Sequence, residues 1–331
     1  MNPRQLATAL TVILQRRFGV DARVGNVQSV SAGASAQTWA FDLIGGGSVQ
    51  PLIVQLAAGD LRFSGALDKT QQAAVQQRAW EHGVPTPKVY GILDPEDGLG
   101  QGFIAERIAG ETLGKRIVGA AEFAGAREAM AAQCGRILAQ IHAIPPTAVP
   151  GLPHYAPAML VERLAAEHHG YHEPLPMFDL AIRWLHDNLP EPRPPVLVHG
   201  DFRTGNFIVD GNGICSVLDW ELAHVGDPME DLGWLCMNAW RFGQLDRPVG
   251  GFGMRDQLYA VYQQVSGNAA DPSAIRFWEV YGTLKWGVIC QYLTFQYLRG
   301  DVRSLERAAI GRRVSETELD LLTLIEGAAC R

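Results

Sequence analysis

The apolar positions repeat in two different ways, and the two repeats occupy different parts of the 331-residue chain. The first third opens with an amphipathic helix and continues with short apolar runs that predict strands. One helical repeat, at residues 66–82, interrupts these runs and ends at Gly83 before two prolines. The strands are predicted at residues 27–30, 36–43, 51–57, 88–93 and 102–107. Five strands with one helix indicate a small lobe built on a sheet.

After Gly110 the pattern is helical, most clearly at residues 122–144 and 273–298. The only clear β signal in this part is a ribbon around Asn212-Gly213, a dipeptide typical of hairpin turns. The sequence therefore predicts an α+β fold of two lobes, a small β-sheet N-lobe and a larger, mainly helical C-lobe. A short crossover separates them, which assigns residues 1–107 to the N-lobe and 108–331 to the C-lobe.

The ribbon carries the candidate chemistry. If Asn212 and Gly213 form a two-residue turn, counting back along both strands sets Asn206 opposite Asp219. Opposed residues on one face of a ribbon hold their Cβ atoms about 4.5–5.5 Å apart, which suits an amide oxygen and a carboxylate that share one Mg²⁺. Asp201 lies at the mouth of the ribbon, where it can meet a substrate hydroxyl. A base beside a metal clamp is typical of phosphoryl transfer.

Composition narrows the class of partner and the compartment. The formal net charge of -7 argues against a nucleic-acid partner, because phosphate contacts require Lys and Arg. Five cysteines are spread through the chain with no close pair, which fits a reducing compartment rather than a disulfide framework. No run of about 18 apolar residues occurs, and Thr8 and Thr11 interrupt the apolar start. We therefore expect a soluble cytoplasmic protein without a membrane span.

The motifs of the ribbon resemble those of the aminoglycoside and choline phosphotransferase branch of the protein-kinase-like fold. His199-Gly-Asp201 with Asn206 keeps the spacing of a kinase catalytic loop. Asp219-Trp-Glu stands where kinases carry a metal-binding Asp, and residues 226–231 are similar to the segment that follows in this branch. The closest likeness is to the kinase-like domain fused to some acyl-CoA dehydrogenases.

This resemblance implies a role for each matching residue on the catalytic side. Asp201 would orient or deprotonate the attacking hydroxyl of a small-molecule acceptor. Asn206 and Asp219 would hold the Mg²⁺ that bridges the phosphates of ATP or GTP. We expect His199 to brace the loop through backbone hydrogen bonds rather than to act as a base, and Asp231 to bind amides of the same loop.

On the nucleotide side, the resemblance implies two groups of contacts. The turn that contains Gly33 and Ser35 falls between the first two strands, where the fold places the turn that covers the phosphates. Small residues are common in hairpin turns of any function, so this turn alone is a weak signal. Its assignment depends on its place between the first two strands of the predicted N-lobe. The backbone groups of Glu106 and Ile108 would pair with adenine at the hinge between the lobes.

The charges that this family usually places near the nucleotide phosphates are absent. The family sets a Lys or Arg on the third strand, ion-paired to a Glu on the following helix, and this sequence has Gln55 and Gln72 there. Losing both charges together leaves neither one buried and unpaired, and a Gln–Gln hydrogen bond would still fix the helix against the strand. The sequence leaves open which cation serves the phosphates, with Arg62 and Lys69 in the intervening segment as candidates.

Two functions are consistent with these observations. The first is a Mg²⁺-dependent small-molecule kinase that uses ATP or GTP, because the segment after Asp219 is too short to dock a peptide. The second is a nucleotide-binding pseudokinase or scaffold with little turnover, which Gln55 and Gln72 suggest. For the acceptor, the lack of a dense acidic cluster favours a metabolic hydroxyl, such as one on a CoA-linked or lipid-like acid, over an aminoglycoside.

A series of aromatic residues in the C-terminal half either lines an acceptor pocket or packs in the core. Its helical spacing favours the packed core. Lys285 lies on the same stripe, so it is either a surface residue whose apolar stem packs against the protein or a contact for an anionic acceptor, and we favour the first. The series consists of Trp234, Trp240, Trp278, Tyr281, Trp286 and Tyr292.

Overall fold

A computed structural model describes residues 2–19, 21–32, 36–57 and 65–329 of the chain. The N-terminal part begins with helix α1 (Pro3–Phe18). Its strands are β1 (Arg23–Ala32), β2 (Ala36–Gly45), β3 (Ser48–Ala57), β4 (Val89–Ile92) and β5 (Gly102–Glu106). They form one antiparallel sheet in the order β1-β2-β3-β5-β4. All five strands predicted from the apolar runs are therefore present.

A tight hairpin and a capped helix build this sheet. Gly46 and Gly47 connect β2 to β3 with φ values of 58° and 77°, a backbone that residues with a side chain rarely adopt. α1 begins at a capping box, in which Asn2 accepts from the amide of Gln5 at 2.9 Å and Gln5 accepts from the amide of Asn2 at 3.1 Å. The apolar side of α1 packs against β2, β3 and β5, and this cluster is the core of the N-terminal part.

Helix α2 (Lys69–Glu81) lies between the sheet and the C-terminal half. It begins at a second capping box, where Asp68 accepts from the amide of Gln71 at 2.8 Å. Ala73 packs with residues of β5, whereas Val75 belongs to the large apolar cluster of the C-terminal half. The helix is shorter than the predicted range of residues 66–82, because the Asp68 cap satisfies its first free amide.

The rest of the described chain is mainly helical, as predicted. Its helices are α3 (Gly114–Gly119), α4 (Ala124–His142), α5 (Pro157–Gly170), α6 (Pro176–Asp187), α7 (Met229–Leu235), α8 (Arg255–Ser266), α9 (Pro272–Leu298), α10 (Leu305–Gly311) and α11 (Val314–Ala329). Its strands are β6 (Val196–Val198), β7 (Phe207–Asp210), β8 (Gly213–Val217) and β9 (His224–Gly226). The sheet-based N-terminal part and this helical remainder make a two-lobed, kinase-like α+β fold.

Helix α9 organises the core of the C-terminal half. It packs against five other helices: α5, α6, α7, α10 and α11. Trp278, near its middle, is fully buried, as the helical spacing predicted. Glu279 and Lys285 interrupt its apolar positions. Within the ranges that the structure describes, no helix is both long enough and apolar enough to cross a bilayer.

Two features of the C-terminal half differ from the sequence prediction. The ribbon of β7 and β8 is not its only β structure, because β6 pairs with β9 in an antiparallel ladder. These strands have three residues each, which is too short for an alternating pattern to be recognised. The sequence also predicts one helix from Pro228 to Trp240. In the structure α7 stops at Leu235, and a separate 3-10 turn covers Asn238–Trp240.

Candidate active site

The hairpin that carries the site turns one residue earlier than predicted. Asp210 pairs with Gly213, so the loop residues are Gly211 and Asn212 rather than Asn212 and Gly213. A type I′ turn requires positive φ at both loop residues and a type II′ turn requires it at the first, whereas here the positive φ of 118° belongs to Gly213, the first residue of β8. Gln133 of α4 fixes this arrangement, because its side-chain amide donates to the carbonyl of Asn212 at 3.1 Å.

The changed turn alters which residues face each other at the open end. Cys215 forms a bulge in β8 and shifts the pairing by one residue. Beyond the bulge, Ile208 pairs with Ser216 and Phe207 with Val217, each one residue before the predicted partner. The amide of Leu218, and not that of Asp219, donates to the carbonyl of Asn206 at 2.8 Å. The predicted pairing of Asn206 with Asp219 across the ribbon is therefore wrong by one residue. Asp219 lies just beyond the ladder, in a left-handed conformation with φ 66°.

Asp231, fully buried in α7, holds the catalytic loop in place. Its carboxylate accepts from the amides of His199 at 2.8 Å and Gly200 at 2.9 Å, as predicted. It also lies 3.2 Å from Nε2 of His142. Burial alone would raise the pKa of Asp231, but the hydrogen bond with His142 brings that pKa below its usual value. The loop backbone is thus tied to a buried carboxylate.

His199 braces the loop and is not placed to act as a base. Its Nδ1 accepts from the amide of Asp201 at 3.2 Å, which leaves Nε2–H to donate to the carbonyl of Leu218 at 3.1 Å. Complete burial lowers the pKa of His199 and favours the neutral ring. Both ring nitrogens are therefore engaged with the backbone, as the sequence suggested.

The carboxylate of Asp201 accepts hydrogen bonds from three side chains. Nε of Arg203 and Nε1 of Trp234 donate to Oδ1 at 2.9 and 2.8 Å. Nδ2 of Asn206 donates to Oδ2 at 2.6 Å. A carboxylate offers about four acceptor positions, so three donors orient the group and leave room for one more. The arrangement can hold a substrate hydroxyl.

Asn206 and Asp219 offer oxygen atoms next to this carboxylate. Both recorded bonds of the Asn206 side chain use the amide nitrogen, so the oxygen Oδ1 is the group that can bind a cation. Burial, together with the charges of Glu221 and Asp201, raises the pKa of Asp219 to about 7. Lys69 and Arg203 act in the opposite direction on the same carboxyl. A buried carboxyl group that lies beside other carboxylates and an amide oxygen belongs to a donor set that suits a divalent cation.

The two glutamines on the nucleotide side do not bind each other. Gln55 lies on β3 opposite Phe103 of β5, half-buried. Gln72 is buried in α2, and its Oε1 accepts from Nζ of Lys69 at 2.7 Å. Among the described residues no hydrogen bond joins Gln55 to Gln72, so the expected Gln–Gln contact is absent there. The side chain of Gln72 binds Lys69 instead of Gln55.

The structure describes only some of the remaining residues that the sequence predicts to bind the nucleotide. Glu106 ends β5, and its amide donates to the carbonyl of Lys88 at 2.9 Å. Ile108 follows in the connection to the C-terminal half. Gly33, Ser35 and Arg62 lie outside the described residues. Adenine binding at Glu106 and Ile108 stays a prediction.

A cavity of about 610 Å³ opens beside Asp201 and Asp219. Helices α5, α7 and α9 contribute to its walls, which carry aromatic, cationic and acidic side chains. Nζ of Lys285 lies 4.8 Å from the ring centroid of Trp234. This lysine therefore lines the cavity, whereas the sequence favoured a position on the outer surface. Trp240 and Trp286 also line the cavity, although their spacing favoured a place in the packed core.

Two neighbouring pairs adjust the charge of the cavity wall. The guanidinium of Arg163 lies 4.9 Å from the ring of Tyr155. Glu230 lies 3.1 Å from Nε2 of His224. Burial alone would lower the pKa of His224, but the neighbouring Glu230 raises it, which favours the charged imidazole beside this acid. The wall therefore combines cationic and aromatic side chains with carboxylates such as Glu167 and Glu221.

Sequence reasoning missed two contacts of the candidate base. Arg203 follows Asp201 by two residues, and its guanidinium also stacks 4.4 Å from the ring centroid of Trp240. That close spacing in the chain was a signal that could have identified it. Trp234 lies 33 residues from Asp201, so no local pattern joins them.

The fold and this site define a phosphotransferase of the kinase-like class. The chain belongs to the phosphotransferase enzyme family, whose model matches residues 26–267. The chain is therefore a phosphotransferase.

Solved structures share this fold over nearly the whole chain. One is a protein of Ralstonia eutropha JMP134 assigned as an aminoglycoside phosphotransferase, with a TM-score of 0.75 and 22% identity, covering 97% of this chain and 98% of that one. Another is a thermostable mutant of the aminoglycoside phosphotransferase APH(4)-Ia in a ternary complex with AMP-PNP and hygromycin B. Its TM-score is 0.63 at 16% identity, covering 97% and 99% of the two chains.

A curated relative carries a similar segment within a much longer protein. Acyl-CoA dehydrogenase family member 11 of Pongo abelii is 27% identical over 164 residues. The match covers 45% of this chain and 21% of that protein. The chain thus spans about a fifth of this relative's length in the match, in agreement with the resemblance noted from the ribbon.

Proposed function

We propose that this enzyme transfers the γ-phosphate of ATP or GTP, with Mg²⁺, to a hydroxyl group of a small acidic acceptor. The proposal rests on Asp201, whose carboxylate borders the cavity and accepts a hydrogen bond from Asn206 at 2.6 Å. Asp219 borders the same cavity. A hydroxyl-orienting carboxylate beside two oxygen ligands is the set of groups that phosphoryl transfer requires.

Asp201 orients the acceptor hydroxyl. Its remaining acceptor position receives the hydroxyl proton, which points the oxygen of the acceptor at the terminal phosphate. Arg203 and Trp234 hold the other carboxylate oxygen, so the group keeps one orientation during the reaction. Positioning of this kind accounts for much of the catalysis in phosphoryl transfer, because the protein has little covalent chemistry to perform.

Asn206 and Asp219 are the residues that would hold Mg²⁺. Burial and the neighbouring carboxylates raise the pKa of Asp219 although Lys69 and Arg203 oppose them, so its ionised form would be stabilised by a further cation. The amide oxygen of Asn206 is a neutral ligand of the type Mg²⁺ accepts. When bound, the ion would offset the negative charge that develops on the transferred phosphate.

For the acceptor we favour an acid over a polyamine. Arg163 and Lys285 of the cavity wall can bind an acidic group of the acceptor, while Glu167 and Glu221 lie in the same wall and Glu230 lies beside His224. An aminoglycoside carries several ammonium groups, which Arg163 and Lys285 would repel. Aromatic surface from the tryptophans suits an apolar chain. A hydroxyl on a metabolic acid, including a CoA-linked or lipid-like acid, fits this wall best.

A nucleotide-binding protein with very little turnover is the second candidate. Gln55 favours it, because a neutral amide on β3 cannot offset phosphate charge. The two candidates differ in a simple observation. Nucleotide-dependent thermal stabilisation without phosphorylation of any acceptor supports the second one.

A location in the cytoplasm is also part of the proposal. It rests on the wide spacing of the five cysteines in the sequence. Cys134, Cys215, Cys236 and Cys290 are present as free thiols. Fractionation of cells that express the protein tests this location.

The test is a screen of hydroxy acids, neutral alcohols and aminoglycosides for Mg²⁺-dependent consumption of ATP or GTP. We expect Asp201→Asn to lower kcat by roughly 10²- to 10⁴-fold while Mg·nucleotide binding persists. Asp210→Asn makes the same chemical change on the same hairpin, away from the cavity, and should leave kcat unchanged. Turnover by Asp201→Asn at the wild-type rate contradicts the role of Asp201. Phosphorylation of aminoglycosides alone contradicts the acidic acceptor.

A further inference from the structure

Lys69 is a buried cation next to the candidate metal site. It is the first residue of α2 and is only 5% exposed. A buried ammonium is costly unless the protein holds it against negative charge or strong acceptors. We therefore expect Lys69 to have a functional role.

The contacts of Lys69 fix where its charge acts. Nζ donates to Oε1 of Gln72 at 2.7 Å, one turn further along the same helix. The positive charge of Lys69 also favours the ionised form of Asp219. Gln72 thus holds the lysine side chain, and the charge of that side chain is felt at the carboxylate proposed to bind Mg²⁺.

The start of α2 is anchored to the segment that carries this carboxylate. The amide of Leu67 donates to the carbonyl of Glu221 at 2.7 Å, two residues after Asp219. The Asp68 cap then sets the direction in which α2 leaves. Lys69 is therefore held at a fixed place relative to Asp219 by the backbone as well as by its side chain.

We propose that Lys69 supplies the cation that contacts the nucleotide phosphates, with Gln72 as the residue that orients it. The inference rests on the proposed function, since it assigns a residue to that same site. It explains why Gln55 on β3 needs no charge. The cation comes from the helix, and its orienting partner lies three residues away on the same helix.

A neutral partner suits Lys69 better than the usual carboxylate. The start of α2 lies against the segment that carries Asp219 and Glu221, because the amide of Leu67 donates to the carbonyl of Glu221. A carboxylate at position 72, without a second cation beside it, would add negative charge where the nucleotide phosphates are proposed to bind. The amide oxygen of Gln72 accepts a hydrogen bond from Lys69 and adds no such charge.

Arg203 does not replace Lys69 in this role. Its Nε is bonded to Asp201, and its guanidinium stacks on Trp240 in the wall of the acceptor cavity. Lys69 approaches Asp219 from α2, on the side of the N-terminal sheet. The two cations therefore serve different parts of the site, the acceptor side and the nucleotide side.

The experiment measures binding of adenosine, AMP, ADP and ATP, with Mg²⁺, to the wild-type chain and to Lys69→Met by titration calorimetry. We expect the variant to bind ATP and ADP roughly 10- to 100-fold more weakly and adenosine with unchanged affinity, because one charge-assisted contact is lost. Lys88→Met is the matched control, since Nζ of Lys88 lies over the rings of Trp80 and Tyr90. It should leave all four affinities unchanged.

Two further variants keep the test decisive if Lys69→Met folds poorly. Gln72→Ala retains the lysine but removes its orienting partner, and should weaken ATP several-fold with no effect on adenosine. The triple variant Lys69→Met/Gln55→Lys/Gln72→Glu restores a strand cation with a helix carboxylate, and should recover most of the affinity for ATP. Equal losses for adenosine and ATP indicate a purely structural lysine and overturn the inference.

The outcomes also separate this inference from the proposed function. If the wild-type chain binds ATP and Lys69→Met binds it equally well, the inference fails and the proposed function stands. If the wild-type chain binds neither ATP nor GTP with Mg²⁺, the proposed function fails and this inference fails with it.

Discussion

The two sides of the candidate site differ in how their charges are matched. On the catalytic-loop side, which comprises residues 199–206 and Asp231, each carboxylate has several donors within the protein. On the nucleotide-facing side, which comprises β3, α2 and Asp219, the carboxyl group of Asp219 faces other carboxylates. Gln55 adds no charge there.

Two aspartates show what this difference means. The hydrogen bonds around Asp231 favour its ionised form, although burial opposes them. Burial and neighbouring acids have the opposite effect on Asp219, whose pKa rises to about 7. The protein therefore completes the catalytic-loop side by itself. On the nucleotide-facing side Lys69 offsets the negative charge only in part, and a bound cation would stabilise the ionised form of Asp219 further.

The largest expected effect is the loss of the buried support of the loop. Asp231→Asn should lower the free energy of unfolding by about 3–5 kcal/mol, because the amides of His199 and Gly200 and the ring of His142 lose an ionised acceptor. Chemical denaturation measures this change. Asp246→Asn, at an exposed position, is the control and should change stability by less than about 0.5 kcal/mol.

The pH dependence of this effect has a definite sign. The pKa of Asp231 is lower in the folded protein than its ordinary value of 3.8. The stabilisation is therefore fully present above that ordinary value and is lost as the pH falls through the folded value. The gap between the wild type and Asp231→Asn should narrow below about pH 4. A gap that stays constant in acid would mean that the hydrogen bonds act without the charge.

Asp219→Asn should have the opposite effect on stability. The folded pKa of about 7 lies above the ordinary 3.8, so the wild type loses stability as the pH rises from about 4 to about 7. The neutral variant avoids this loss and should be more stable by roughly 2 kcal/mol at pH 8, with no difference at pH 3.5. Thermal unfolding across this pH range measures the effect.

Mg²⁺ provides the control for Asp219→Asn. Saturating Mg²⁺ with ADP should stabilise the wild type more than the variant at pH 8, because the ion needs the ionised carboxylate. The variant should also lose turnover. If it unfolds earlier than the wild type at pH 8, the crowding of carboxylates does not describe this side of the site.

The fold and the position of the candidate site could be predicted from the sequence because their signals are local. The strands of the N-terminal part follow from apolar runs, and Asp201, Asn206 and Asp219 follow from their spacing along one ribbon. The register of that ribbon could not be predicted in the same way. Gln133, about eighty residues earlier in the chain, binds the loop at Asn212 and overrides the local turn preference.

The surroundings of the site depended on contacts between distant segments. Trp234 and Lys285 carry no local sign that one binds Asp201 and the other faces the cavity. Lys69 was a candidate from the sequence, but its bond to Gln72 arises only when the Asp68 cap starts the helix at that point. Side chains of this kind are chosen by the packing of the whole chain rather than by a motif.

Trp234→Phe tests the catalytic-loop side with a smaller change. The variant keeps an aromatic ring but loses the Nε1–H that donates to Oδ1 of Asp201 at 2.8 Å. We expect kcat to fall about tenfold with the KM for ATP unchanged, because the carboxylate keeps two of its three donors. Trp184→Phe, on α6 away from the cavity, should keep the wild-type kcat. Equal changes in the two variants would refute a specific role for this hydrogen bond.

Gln55→Lys tests the nucleotide-facing side with the smallest expected effect. In the single variant the new ammonium has no carboxylate partner, because Gln72 is neutral and already accepts a hydrogen bond from Lys69. The affinity for ATP should therefore change by about twofold or less. Together with Gln72→Glu, the strand cation gains a carboxylate partner, and the affinity should rise about fivefold. Calorimetric titration with Mg·ATP measures both variants. An equal gain from the single change contradicts the view that the charges at positions 55 and 72 are coupled.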